Sequence, residues 1–239
     1  MSLEEKAWQD IRLRIVAAAK AAHRDPGSIR VLAVSKSFPI EAIQSAYAMG
    51  QRAFGENYVQ EAKAKIAALS GLPGVEWHLI GPLQNNKAGA AVRSFAWVET
   101  IDRQQIAHRL STASTARGTE LPPLNVCIQV NISGEATKHG VIPSMALSLA
   151  REVRRMPGLA LRGFMGIAQA FDGSGAARAQ FHLLRELYDA GRGEGLSLDT
   201  LSMGMSSDFE FAIAEGATQL RIGSALFGPR VPTSAAESH

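Results

Sequence analysis

Lys36 closes a short apolar run, Arg30-Val31-Leu32-Ala33-Val34-Ser35-Lys36, and Pro39 follows it closely. Such a run reads as a buried parallel strand, which sets its lysine at a strand's carboxyl end instead of on a solvated face. A lysine amine made less basic by burial attacks aldehydes to form imines. Late in the chain, Leu201-Ser202-Met203-Gly204-Met205-Ser206-Ser207-Asp208 and Arg221-Ile222-Gly223-Ser224 combine hydroxyls, small residues and backbone N–H groups at helix starts. That mixture suits a phosphate dianion. Each piece also has an ordinary structural reading, as a snorkelling lysine, an N-cap or a turn. Taken together, an amine opposite a phosphate seat points to an imine with a phosphorylated aldehyde. Pyridoxal 5′-phosphate meets that description, and so does the sugar-phosphate substrate of a class I aldolase. Arg221 bears on the choice, because pyridine nitrogens in pyridoxal sites are partnered by Asp or Arg. An arginine keeps its proton, so the ring nitrogen facing it stays unprotonated and the cofactor becomes a poorer electron sink.

These groups act together only if one scaffold gathers them. Strand-like runs recur at Arg30 to Lys36, Arg52 to Asn57, Val75 to Ile80, Trp97 to Ile101, Leu124 to Asn131, Leu159 to Met165, Thr200 to Met203 and Gln219 to Ile222. Helical patterns separate them, and an amphipathic helix with Trp8, Ile11, Ile15 and Ala18/Ala19 on one face precedes the first. Eight βα units of this length predict an α/β fold, a single (β/α)8 TIM barrel with an additional N-terminal helix. A doubly wound sheet usually has fewer strands and a glycine fingerprint after the first. Ser35-Lys36-Ser37 stands at that point, and the Gly191 to Gly195 run reads as the end of a helix before a strand. In a barrel the strand carboxyl ends share one face, where loops seven and eight often hold phosphate. Lys36, Asn57, His78, Asn131, Met165, Ser202 to Ser207 and Arg221 to Ser224 are then expected around one mouth.

Composition sets the outer limits. The 239 residues, 46% hydrophobic and 20% charged, fit one globular domain over 1–239, with the tail after about 230 expected to be disordered. The net charge of +3 comes from scattered lysines and arginines, so no nucleic-acid footprint is indicated. No apolar run approaches a membrane span, and the acidic start Met1-Ser2-Leu3-Glu4-Glu5 is unlike a signal peptide, so a cytoplasmic protein is expected. Cys127 lies in an apolar run and reads as a core residue; the six histidines show no metal-ligand spacing.

Several long stretches then resemble one family. Phe54-Gly55-Glu56-Asn57-Tyr58-Val59-Gln60-Glu61, Trp77-His78-Leu79-Ile80-Gly81-Pro82-Leu83-Gln84-Asn85-Asn86-Lys87 and Gln129-Val130-Asn131-Ile132-Ser133-Gly134-Glu135 are similar to motifs of the YggS/PROSC family of pyridoxal phosphate homeostasis proteins. Ala33 to Lys36, Leu201 to Ser206 and Leu220 to Gly228 match it too. The resemblance implies a fold-type III barrel like the N-terminal domain of alanine racemase, with pyridoxal 5′-phosphate as a Schiff base on Lys36. It also implies Arg221 at the pyridine nitrogen, Asn57 near the ring, and Ser202, Met205, Gly223 and Ser224 at the phosphate end. Racemases of this fold draw an opposing tyrosine from a second domain that nothing in this chain supplies. Of its own tyrosines, Tyr47 and Tyr188 fall within helices, and Tyr58 reads as a packing residue of the helix after the second strand. The implied role is therefore a monomeric, non-catalytic carrier and buffer of the cofactor, with pyridoxal-dependent apo-enzymes as possible recipients; a racemase-like enzyme is the alternative. His78 reads as a structural histidine near the mouth.

Overall fold

Trp8, Ile11, Ile15 and Ala19 form the buried stripe of a first helix, α1 (Leu3–Ala21), as their spacing predicts. The computed structural model describes residues 3–118, 120–169 and 175–228. After α1 the chain alternates strictly. Its first half runs β1 (Arg30–Val34), α2 (Ile40–Ala48), β2 (Ala53–Glu56), α3 (Val59–Ala68), β3 (Glu76–Leu79), α4 (Ala88–Ser94), β4 (Trp97–Ile101) and α5 (Gln104–Thr115). Its second half runs β5 (Leu124–Val130), α6 (Pro143–Arg154), β6 (Leu159–Gly166), α7 (Ala176–Gly193), β7 (Thr200–Ser202), α8 (Phe209–Ala214), β8 (Gln219–Ile222) and α9 (Ser224–Phe227).

The eight strands pair in parallel and in sequence order, and β8 closes on β1 with Arg30 opposite Gln219 and Ala33 opposite Ile222. The (β/α)8 barrel and the extra N-terminal helix stand as expected. Most apolar burial lies between the strands and the helical ring, where Phe54, Phe164, Phe181 and Phe209 are fully enclosed. The barrel interior is different, because it holds His78, Glu99, Ser202, Gln219 and Arg221. Cys127 packs there against Trp97 and Met165, and burial raises its thiol well above the usual range, consistent with a core residue.

Most strand ends differ from the sequence reading by a residue or so, and two boundaries bear on the site or its scaffold. β1 ends at Val34, so Ser35 and Lys36 lie just beyond the ladder. α7 runs through Gly191, expected in a turn, and glycine there leaves room for Leu198, whose Cδ1 would lie 2.9 Å from an added Cβ. The expected disorder after residue 230, and most of the loop following Gln169, lie outside the described residues.

Candidate functional site

Five strand ends and the loop after β7 enclose a cavity of about 320 Å³ at the carboxyl-terminal mouth. Lys36 and Arg221 are its charged lining residues, and Asn57, Ser206, Ser207 and Ser224 its polar ones. Val34, Ile80, Ile167 and Met205 line the rest, with Gly223 exposing bare backbone. Six of the seven residues singled out from the sequence thus meet in one space. Ser202 is the seventh and lies beneath it, fully buried and bonded to Arg221.

Local structure explains each placement. Asn57 follows β2, and its backbone is crossed so closely by Gly81 that a Cβ at residue 81 would stand 2.2 Å from the Asn57 carbonyl oxygen. Glycine at 81 is therefore a steric requirement for Asn57 to reach the cavity. After β7, Gly204 takes φ 90° and Asp208 turns the loop back on itself, its Oδ1 accepting from the Met205 N–H at 2.6 Å. Asp208 is not the simple N-cap its sequence suggests, since that carboxylate serves Met205 instead of α8. Burial raises Asp208 above the usual aspartate value, opposed by that bond and by Arg221. Ser206 ties loops seven and eight together: its Oγ accepts from the Ala225 N–H at 3.3 Å and lies 3.5 Å from Ser224 Oγ. α8 has six residues and α9 four, so their dipoles are small; the hydroxyls and the first amides of α9 are the main anion donors here.

The cavity floor is a buried polar chain. Arg221 donates through Nη1 to Ser202 Oγ at 2.8 Å and through Nη2 to the Gly166 carbonyl at 2.7 Å. Ser202 donates to Glu99 Oε2 at 2.6 Å, and Gln219 Nε2 donates to Glu99 Oε1 at 2.7 Å. His78 Nδ1 stands 2.6 Å from Glu99 Oε1, with its ring stacked on Trp97 at 5.0 Å. Burial lowers Arg221, with Glu99 and Asp208 opposing. Burial also pushes Glu99 upward, but His78, Arg221 and Ser202 outweigh it and hold the carboxylate below its usual value. For His78, burial pulls downward and is outweighed by Glu76 and Glu99, so the ring is raised above the ordinary histidine value. Glu76 Oε2 is 3.7 Å from His78 Nε2, beyond hydrogen-bond range, so that attraction is charge on charge.

Comparison with known proteins bears on what such a mouth is for. Residues 11–231 match the family described as alanine racemase, N-terminal domain. The chain belongs to this family. Among its relatives, a pyridoxal phosphate homeostasis protein of Pseudomonas aeruginosa is 51% identical over 220 residues, which cover 92% of this chain and 93% of that one. PipY of Synechococcus elongatus, solved with PLP bound, is 38% identical with a TM-score of 0.78, covering 90% of this chain and all of that one. An alanine racemase of Clostridium difficile, 13% identical with a TM-score of 0.71 over 94% of this chain and 57% of that one, shares the fold alone.

Within this alanine racemase N-terminal-type barrel, three sequence expectations need correction. Met165, expected at the mouth, is fully buried against Trp97 and Cys127 and does not line the cavity. Tyr58 is 62% exposed, so it is no packing residue of the following helix; it lines a second basin of about 480 Å³ that meets the cavity at Asn57. His78 is not at the mouth: it sits inside the barrel and reaches toward Glu76 at the first residue of β3. Asn131 organises its own loop, donating to the carbonyls of Glu135 and Lys138. Glu99, Gln219, Ser206 and Ser207 were not picked out individually from the sequence. Glu99 carries a legible signal, an acid inside the apolar strand Trp97-Val98-Glu99-Thr100-Ile101, since a buried carboxylate requires partners.

Proposed function

We propose that this chain binds pyridoxal 5′-phosphate as a Schiff base on Lys36 and holds it for delivery to other enzymes, as a cytoplasmic monomer with no substantial turnover of its own. The observation that carries the reading is the joint lining of one small cavity by Lys36, Arg221 and the serine-rich loops seven and eight. At about 320 Å³ the space is at the lower end for small-molecule sites. Its donor chemistry fits the cofactor at both ends. Ser206, Ser207, Ser224 and the Gly223 backbone would hold a phosphate, and Val34, Ile80 and Ile167 would flank a flat ring. Arg221, fixed by Ser202 and Gly166, would face the ring nitrogen and keep it unprotonated. Asn57 would sit beside the ring, oriented by the Gly81 crossing. When bound, the cofactor supplies an aldehyde carbon and an electron-withdrawing ring.

The carrier reading, in preference to a racemase-like enzyme, rests on proton chemistry. Among the described residues lining the cavity, Lys36 is the one side chain of acid/base type; the others are hydroxyls, an amide, an arginine and apolar side chains. Racemisation needs a second acid/base on the opposite face. No helix among the described residues is long and apolar enough to cross a membrane. The exposed large apolar residues lie singly, as Leu13, Leu121 and Phe211, or as one pair, Ile142 and Met145 at the start of α6, which supports a monomer. Loading the protein with the cofactor and offering it an apo-enzyme tests delivery: recovered enzyme activity is expected, and its absence contradicts the carrier role. Incubation with L- and D-amino acids in deuterated water is expected to give no α-proton exchange beyond that of free cofactor. Faster exchange would favour the enzyme.

A further inference from the structure

The turn carrying Lys36 is gripped on both sides by one buried ion cluster outside the cavity lining. Before the lysine, the Ser35 hydroxyl donates to Glu56 Oε1 at 2.6 Å and the Ser35 carbonyl accepts from Lys65 Nζ at 2.8 Å. After it, the Ser37 N–H donates to Glu61 Oε1 at 2.8 Å. Lys65 joins the two sides, 2.9 Å from Glu56 Oε1 and 2.8 Å from Glu61 Oε1. The side chains of Lys65 and Glu56 are 8% and 0% exposed, so this ammonium bonds three oxygens away from bulk water. Glu61 and Lys65 are four residues apart on α3, the spacing that sets two side chains on one helix face. Ser37 has φ 63°, a conformation non-glycine residues adopt only when their surroundings hold them there.

We propose that Glu61 is a positioning residue for Lys36: anchored by Lys65, it fixes the Ser37 turn so that the lysine enters the cavity in one direction, and it sets a negative charge near the nitrogen that becomes the iminium. The inference rests on the Schiff-base reading above. In that step the Lys36 nitrogen bonds the aldehyde carbon and the carbonyl C–O bond breaks. The oxygen leaves as water with the two hydrogens of the neutral amine, and a proton from solvent gives the cationic imine. Glu61 already responds to this region. Against the upward pull of partial burial, the Lys65 bond, the Ser37 amide and the charges of Lys65 and Lys36 hold it below its usual value. The other charged groups around this turn are Lys65 and Glu56, both bonded to Ser35, and Arg221, which lines the same cavity as Lys36 and is itself offset by Glu99 and Asp208. Glu61 is the member whose charge can be removed while an acceptor for Ser37 remains.

The test uses the cofactor-loaded protein and two variants. Glu61→Gln keeps a carbonyl oxygen for the Ser37 N–H, so circular dichroism should be unchanged, while the visible band of the protonated imine should titrate at least about one pH unit lower than in wild type. Glu61→Ala loses both features and should also form the imine about tenfold more slowly on mixing with the cofactor. A Glu61→Gln titration superimposable on wild type, with Glu61→Ala reacting at the wild-type rate, overturns the inference while leaving the Schiff base intact. A wild-type protein without a band that borohydride fixes on Lys36 overturns both.

Discussion

Arg221 is held over the barrel interior by Ser202, whose hydroxyl accepts from the guanidinium at 2.8 Å and donates to Glu99 at 2.6 Å. The residue proposed to face the cofactor's ring is thereby linked to a carboxylate it does not touch directly. Buried charges persist only when paired and hydrogen-bonded, and here one hydroxyl is the shared partner of both.

Ser202→Ala should therefore destabilise the fold by about 1–3 kcal/mol, by leaving donors and acceptors in the barrel unsatisfied. Glu99→Gln removes the carboxylate that Ser202, Gln219 and His78 all contact and should cost about 3–5 kcal/mol. Urea unfolding measures both. A Ser202→Ala protein as stable as wild type would mean that Arg221 does not depend on this hydroxyl.

His78 gives the fold a pH dependence of definite sign. Its folded value is raised above the unfolded value of about 6.5, so the stability it contributes is fully present below that pH and is lost as pH rises through the folded value. The urea midpoint should fall as pH is raised above about 6.5, and His78→Gln should flatten that decline. Parallel profiles for the two proteins would place the titrating group elsewhere.

Gly81→Ala drives a methyl group into the Asn57 backbone, with 2.2 Å to its carbonyl oxygen and 2.7 Å to its Cα. The loop must shift, so a loss of cofactor affinity is expected together with lower stability. Gly71→Ala, where nothing lies within 4 Å of the added carbon, is the matched control and should match wild type in both. Absorbance titration with pyridoxal 5′-phosphate reads the affinity. Equal affinity in the Gly81 variant would show that Asn57 is not held by this crossing.

Ser224→Asp introduces a carboxylate among the donors proposed for the phosphate. Like-charge repulsion in a partly enclosed space should weaken binding of the phosphorylated cofactor by about tenfold or more, while pyridoxal lacking the phosphate is little affected. If both ligands lose affinity equally, the phosphate lies elsewhere.

The fold was legible because period-two and period-3.6 patterns alternate cleanly from Arg30 to Ile222 and each apolar stripe has a barrel or helix face to cover. Lys36 and loops seven and eight were legible because residue type and strand-end position coincide there. The floor was not. Glu99, Ser202 and Gln219 come from three strands as far apart as residues 99 and 219, and single-strand patterns carry no record of which interior side chains meet. Asp208 stands at the N-cap position that Ser-Ser-Asp before a helix also allows, but its carboxylate accepts from the Met205 N–H and not from the helix, a use local sequence does not reveal. Tyr58 misled for a similar reason: an aromatic residue beside a helix start usually packs, but here it lines the basin and is largely exposed.

The most direct test of the proposed function is to load the wild-type protein with pyridoxal 5′-phosphate, reduce it with borohydride, digest it and sequence the labelled peptide by mass spectrometry. The cofactor is expected on Lys36 alone, with no label on Lys65 or Lys87 and none after Lys36→Ala substitution. Label on another lysine, or undiminished labelling of the Lys36→Ala protein, would contradict it.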